Sequence, residues 1–304
     1  MHSVIFELKY FIFYFPFFIF FSGEWKSLQS EHFLLSYKKE DERSAREILL
    51  YAEEELPPIA AHIGIVPTPS EKIRIILSST QDDFDRFTRQ GVPDWGIGCA
   101  LPHEKTIVLK TPRLVGKNID LRSLIAHEIS HILLHNPHTS FNKGGMGIPR
   151  WFDEGLAMFE SREWKVGESM TLAWAVLNNT LLPLSSLKTH FPASEKKARL
   201  AYTQSFSTIA YILQEFGEEG LQVLLKTLAS TGDFEKALEE GLGLTLDQFQ
   251  QQWLTHLKKH YNLLVILTDT GILWGAISLL FIYTLIVKTL KTRRRKQELE
   301  NGEW

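Results

Sequence analysis

Residues 123–135 read Ser-Leu-Ile-Ala-His-Glu-Ile-Ser-His-Ile-Leu-Leu-His. Leu124, Ile125, Ile129, Ile132 and Leu133 make this an apolar stretch that a fold would bury as a helix. Two histidines and a glutamate inside it are costly unless something pairs with them. That conflict limits what the chain can become, because other segments must bring the partners.

His127 and His131 are four residues apart, about 400° of helical turn, so both imidazoles share one face. Two neutral imidazoles on one face can hold one Zn²⁺. Glu128 stands about 100° round, beside the metal, where it can take a proton from the attacking water. His-Glu-x-x-His is the arrangement of zinc peptidases. A catalytic zinc needs a third protein ligand and an open position. Downstream lies Pro149-Arg-Trp-Phe-Asp-Glu-Gly-Leu-Ala-Met-Phe-Glu160. Glu154 stands early in a helix whose Trp151, Phe152, Leu156 and Met158 would pack on the core.

The segments before the motif alternate in character. Residues 32–38 and 72–78 have strand patterns, and 40–61 carry apolar residues at helical spacing up to Pro57-Pro58. Residues 80–88 read as a short helix and Gly91–Trp95 as a turn. Two short strands, 96–101 and 105–110, follow. Residues 136–149, rich in glycine and proline, read as a loop. From Arg150 to 261 the pattern is helical, with breaks near 190–194, 216–220 and 230–233. The net charge of −3 gives no footing for nucleic acid, and the lone Cys99 excludes an intramolecular disulfide.

Both ends point to a membrane. Residues 10–21 are twelve apolar or aromatic residues preceded by Lys9, the length of a signal-peptide core. Residues 1–23 are therefore a signal peptide or an uncleaved N-terminal anchor. Residues 271–287 carry no charge, and with Thr289 and Leu290 the stretch nears the ~20 residues that a bilayer requires. Lys288, Lys291, Arg293, Arg294, Arg295 and Lys296 follow. The excess of cations predicts a cell-membrane span at 271–290, a basic cytoplasmic tail at 291–304 and an extracytoplasmic region at 24–262. The basic run fits a flank beside anionic lipid.

His-Glu-Ile-Ser-His, 22 intervening residues and then the Glu of Trp-Phe-Asp-Glu-Gly-Leu-Ala resemble the gluzincin metallopeptidases. The likeness is to the peptidase MA-like domains, related to the aminopeptidase N and leukotriene A4 hydrolase group, over roughly residues 24–260. It implies that Glu154 is the third zinc ligand beside His127 and His131. Ala201-Tyr202-Thr-Gln-Ser-Phe-Ser is similar to the family segment whose tyrosine hydroxyl supports the oxyanion, which implies that role for Tyr202. The family's aminopeptidases carry Gly-x-Met-Glu-Asn on a strand edge, and its Glu binds the substrate's amino terminus. The matching stretch here, Gly96-Ile-Gly-Cys-Ala-Leu-Pro-His103, contains neither Glu nor Asn. That departure favours endopeptidase over aminopeptidase action.

Among the remaining polar groups, His135 is expected at a solvated helix end and His138 in the loop. His103 falls between two strands near the cleft, and Asp153 can orient a histidine or stabilise a helix start. The expected fold class is α+β. A small mixed sheet lobe leads into a mostly helical lobe, with one Zn²⁺ per chain between them and a C-terminal transmembrane helix. The expected function is a membrane-anchored zinc peptidase acting on a membrane-proximal peptide or protein. The alternative is a catalytically inactive peptidase-like ectodomain that binds a peptide or a membrane partner.

Overall fold

The structure is a computed structural model that describes residues 25–92, 96–116, 119–135, 147–164, 166–261, 270–300 and 302. The expected signal or anchor at 1–23, most of the 136–149 loop with His138, and residues 262–269 lie outside the described residues.

Five strands form one mixed sheet: β1 (Trp25–Gln29), β2 (Phe33–Lys38), β3 (Ile73–Ser78), β4 (Gly98–Leu101) and β5 (Thr106–Lys110). Their spatial order is β1-β2-β3-β5-β4. The β1–β2 and β4–β5 pairs are antiparallel, whereas β2–β3 and β3–β5 are parallel. Parallel neighbours require covered faces, and β5 is buried at every position. Helix α1 (Glu42–Ile63) packs on β2, and α2 (Gln81–Phe87) lies against β3 and β5. A single turn, α3 (Pro112–Val115), leads towards α4 (Leu121–Leu134), which packs beside α1. Asp120 caps α4 by accepting from the backbone N–H groups of Arg122 and Ser123.

The helical part comprises α5 (Arg150–Glu160), α6 (Val166–Leu177), α7 (Glu195–Thr231), α8 (Phe234–Leu242) and α9 (Leu246–His260). Trp151 anchors it, packing edge-on against Phe152 and Phe234 and stacking on Phe249. A ring of this size buries 150–250 Å² and dominates the local packing energy. Helix α10 (Thr270–Glu300) is long and apolar enough to cross a membrane.

Several expectations change. Strand β1 was not anticipated. Helix α1 does not stop at Pro57-Pro58 but runs on to Ile63 and ends at Gly64. Both prolines face solvent, where water can satisfy the carbonyls they leave free, while Leu56, Ile59, Ala60 and Ile63 stay buried and hold the last turns. The strand expected at 96–101 begins at Gly98. The break near 216–220 is a kink at Gly217 (φ 70°, ψ −178°) inside α7. A further break separates α5 from α6, and the one expected near 190–194 opens earlier, after Leu177. The basic cluster expected as a separate tail continues the same helix as the apolar span. Sheet and helices share one continuous hydrophobic core.

One polar tie crosses this core. The buried Glu160 on α5 receives His62 of α1, with Nδ1 3.0 Å from both carboxylate oxygens. The Glu160 hydrogen bond outweighs burial and raises the pKa of His62, while burial raises that of Glu160. Both groups thus bind protons more tightly in the folded protein. The His62 contribution is complete below about pH 6.5 and is lost as pH rises through its higher folded value. The urea midpoint should fall as pH rises from about 6.5, and His62→Gln should flatten that fall. An unchanged slope in the variant would remove the tie from the stability of the protein.

Candidate metal centre

Helix α4 delivers its histidines from a buried position between α1, α5 and the sheet edge β4. Helix α5 faces it and contributes Asp153 and Glu154. One ligand atom from each of His127, His131 and Glu154 lies within 4.8 Å of the others. The two rings approach at 4.9 Å between centroids.

Each imidazole has two differently employed nitrogens. His127 Nδ1 is 3.0 Å from Glu163 Oε1, and His131 Nδ1 is 2.7 Å from Asp153 Oδ1. With Nδ1 engaged, the Nε2 lone pair remains for an ion, as metal-binding histidines require. His127 Nε2 lies 3.8 Å from Glu154 Oε2. That is too long for a hydrogen bond. It is near the ~3.4 Å between neighbouring ligands of a tetrahedral ion with bonds of about 2.1 Å. Glu154 Oε1 is held 3.1 Å from the Arg150 guanidinium, one helical turn back. The donor set of two nitrogens and one carboxylate oxygen therefore fits zinc. His131, His135 and Asp153 form a second cluster of potential ligands. Its His131 Nδ1 and Asp153 Oδ1 are already hydrogen-bonded to each other.

The charges are strongly coupled. Burial alone would lower the pKa of His131, but Asp153, Glu154 and Glu128 outweigh it and hold the ring up at about 10. His127 is also raised, by Glu163 and Glu128 acting against burial and His131. Asp153, bonded to His131 and His135, is held far below the carboxylate range despite its burial. Burial pushes the Glu128 carboxyl up against the pull of both imidazoles. The carboxylates gathered round the two imidazoles thus favour positive charge at this point, which a divalent cation would supply.

Glu128 and these ligand atoms line an open cleft of about 1130 Å³. Strand β4 forms one wall, and the Ala100 N–H donates to Glu128. A Cβ on Gly98 would stand 2.5 Å from Glu128 Oε1, so the bare backbone there makes room for the carboxylate. Tyr202 of α7 lines the same cleft, with its hydroxyl bonded to Arg150 and its ring edge-on to Phe191. Burial and the nearby Glu154 raise its pKa, keeping the phenol protonated.

All five residues singled out from the sequence, His127, Glu128, His131, Glu154 and Tyr202, line this cleft. Asp153 bonds a histidine, the first of its two expected roles. His135 stands half-exposed at the C-terminal end of α4, as expected, and its Nε2 also lies 3.1 Å from Asp153 Oδ2. Arg150 and Glu163 were missed. The spacing of Arg150 four residues before Glu154 could have revealed it. Glu163 had no such signal, because Arg162 adopts a left-handed φ of 56° that turns the chain back towards α4.

The family model of the peptidase MA superfamily matches residues 62–259. The chain belongs to this superfamily. It is similar to the uncharacterized protein YhcO of Bacillus subtilis (strain 168), with 26% identity over 140 residues, 45% of this chain and 41% of that protein. Among solved structures, a two-domain M1 zinc metallopeptidase mutant bound to L-tryptophan aligns over 76% of this chain and 51% of its own length. The identity there is 14% and the TM-score 0.43. The chain thus spans about half or less of each of these proteins.

Glycine is required next to Glu154. A Cβ on Gly155 would meet the backbone oxygen of Ser205 in α7 at 2.3 Å. Gly155→Ala should therefore force α5 from α7 and cost about 1–3 kcal/mol in urea unfolding. Unchanged stability would mean that the two helices are free to separate.

Proposed function

We propose that this chain is a membrane-anchored zinc peptidase that cleaves peptide bonds within a chain rather than at its amino terminus. The convergence of His127, His131 and Glu154 on one point, with Glu128 beside them in the cleft, carries the reading. His127, His131 and Glu154 would hold the ion, and Asp153 and Glu163 would fix the two rings by accepting their Nδ1 protons. Bound zinc supplies Lewis acidity to the scissile carbonyl and makes water a better nucleophile. Glu128 takes the proton of the attacking water and returns it to the leaving amine. Tyr202 donates a hydrogen bond from its hydroxyl to the developing oxyanion, and a preorganised donor of this kind contributes about 2.7–4 kcal/mol. Arg150 positions both Tyr202 and Glu154.

The preference for internal bonds rests on the cleft wall. Among the described residues of that wall, Gly96, Ile97, Gly98, Cys99, Ala100, Pro102 and His103 offer no carboxylate to receive an amino terminus. Glu163, further along the cleft, is already engaged by His127 and Ser161. The exposed edge of β4 can pair with an extended peptide. Helix α10 would anchor the enzyme, with its basic end in the cytoplasm and the cleft outside the cell membrane.

The purified full chain should carry about one zinc. Glu128→Gln should keep that zinc and lose hydrolysis, whereas cleavage at the wild-type rate would assign the base elsewhere. An N-acetylated peptide and its free-amine twin should be cut at the same internal bond. Cleavage confined to the free amine would instead establish an aminopeptidase.

A further inference from the structure

Helix α6 is not accounted for by the chemistry above. Residues 169–187 contain no charged side chain, nineteen in succession on a helix and its exit. Leu172, Ala173, Ala175 and Val176 form the buried face. The opposite face is apolar as well. Trp174 is 57% exposed and Leu177 38%, with the half-buried Met170 one turn before them. A helix apolar on both faces belongs in a core or at a membrane. An exposed tryptophan on such a helix suits the headgroup level, where its ring is buried and its N–H stays wet.

The route of the chain identifies the covering surface. The Ser169 hydroxyl is bonded to the hydroxyl of Tyr261, just after α9, and accepts the Trp164 indole N–H at 2.9 Å. Residues 262–269 alone separate Tyr261 from α10. At about 3.3–3.6 Å per residue, α10 begins no more than roughly 32 Å from Tyr261, which is itself bonded to the first turn of α6. The first turns of α7 add exposed Lys196 and Lys197, and Arg199 stands beside Gly167 at the start of α6. Exposed cations beside an apolar face complement anionic headgroups. The same segment reaches the cleft, because Trp164 follows Glu163, the partner of His127.

We infer that the outer face of α6 (Met170, Trp174 and Leu177) seats in the headgroup boundary of the bilayer crossed by α10, holding the Glu163 side of the cleft against the membrane. The inference rests on reading α10 as a span. It assigns the enzyme a substrate whose cleaved bond lies beside the membrane surface.

The test uses the full chain reconstituted in vesicles of phosphatidylcholine and phosphatidylglycerol. Cys99→Ser is combined in turn with Trp174→Cys, Leu177→Cys and, as a control in the α1–β3 connection, Val66→Cys, where the native side chain is 85% exposed. Each cysteine carries an environment-sensitive fluorophore, and some lipids carry a nitroxide near the headgroup. Quenching at 174 and 177 should exceed that at 66 several-fold. Equal quenching at all three positions in chains that float with the vesicles would overturn the α6 contact and leave the span intact. Failure to float would overturn both. Self-quenching at 174 in detergent would give the face to a second copy and refute the lipid assignment.

Discussion

Every part of the centre depends on the need to keep two imidazoles polar inside an apolar helix. His127 and His131 sit on α4 among Ile125, Ala126, Ile129 and Ile132, all essentially inaccessible to water. An unpaired charge there would be prohibitive. The structure meets that cost with carboxylates from one neighbouring segment. Asp153 and Glu154 come from α5 and Glu163 from the turn behind it. Because α5 must lie close enough to reach both rings, its packing against α7 becomes part of the chemistry. Gly155 permits that approach, and the aromatic cluster around Trp151 fixes the depth of the helix.

Much of this was legible in the sequence because it depends on short spacings. The four-residue separation of His127 and His131 sets their common face whatever the surroundings. The apolar pattern of 72–78 and 105–110 became the central pair β3–β5. Position 154 came from family resemblance, since a 22-residue separation says nothing physical until the intervening chain is folded. Glu163 was beyond reach because its direction depends on one left-handed residue, Arg162. The extent of α1 was misread for a similar reason. Local proline chemistry argued for a stop, and burial of Ile59, Ala60 and Ile63 prevailed. Which elements adjoin one another in the core was also hidden, because hydrophobic periodicity names the inner face of an element but not its neighbour.

The cleft brings together groups of different origin. Its titratable and potential ligand side chains come from helices, whereas β4 provides backbone and small residues. Helices hold side chains at fixed azimuths, and a glycine-bearing edge strand lets another backbone come near. The division explains why a substitution on β4, such as at Gly98, acts on Glu128 by displacement rather than by removing a reacting group.

The continuity of α10 has a mechanical consequence. Thirty-one helical residues extend about 46 Å. The hydrocarbon layer is about 30 Å thick, so a helix of this length would have roughly three turns to spare if it crossed one. Lys288 to Lys296 then project from a rod rather than hang from a flexible thread. Their depth is set by the rise of the helix, which ties vertical movement of the basic collar to the opposite end of the rod. In a bilayer, a change in thickness or headgroup charge would be transmitted along the helix axis as tilt or displacement.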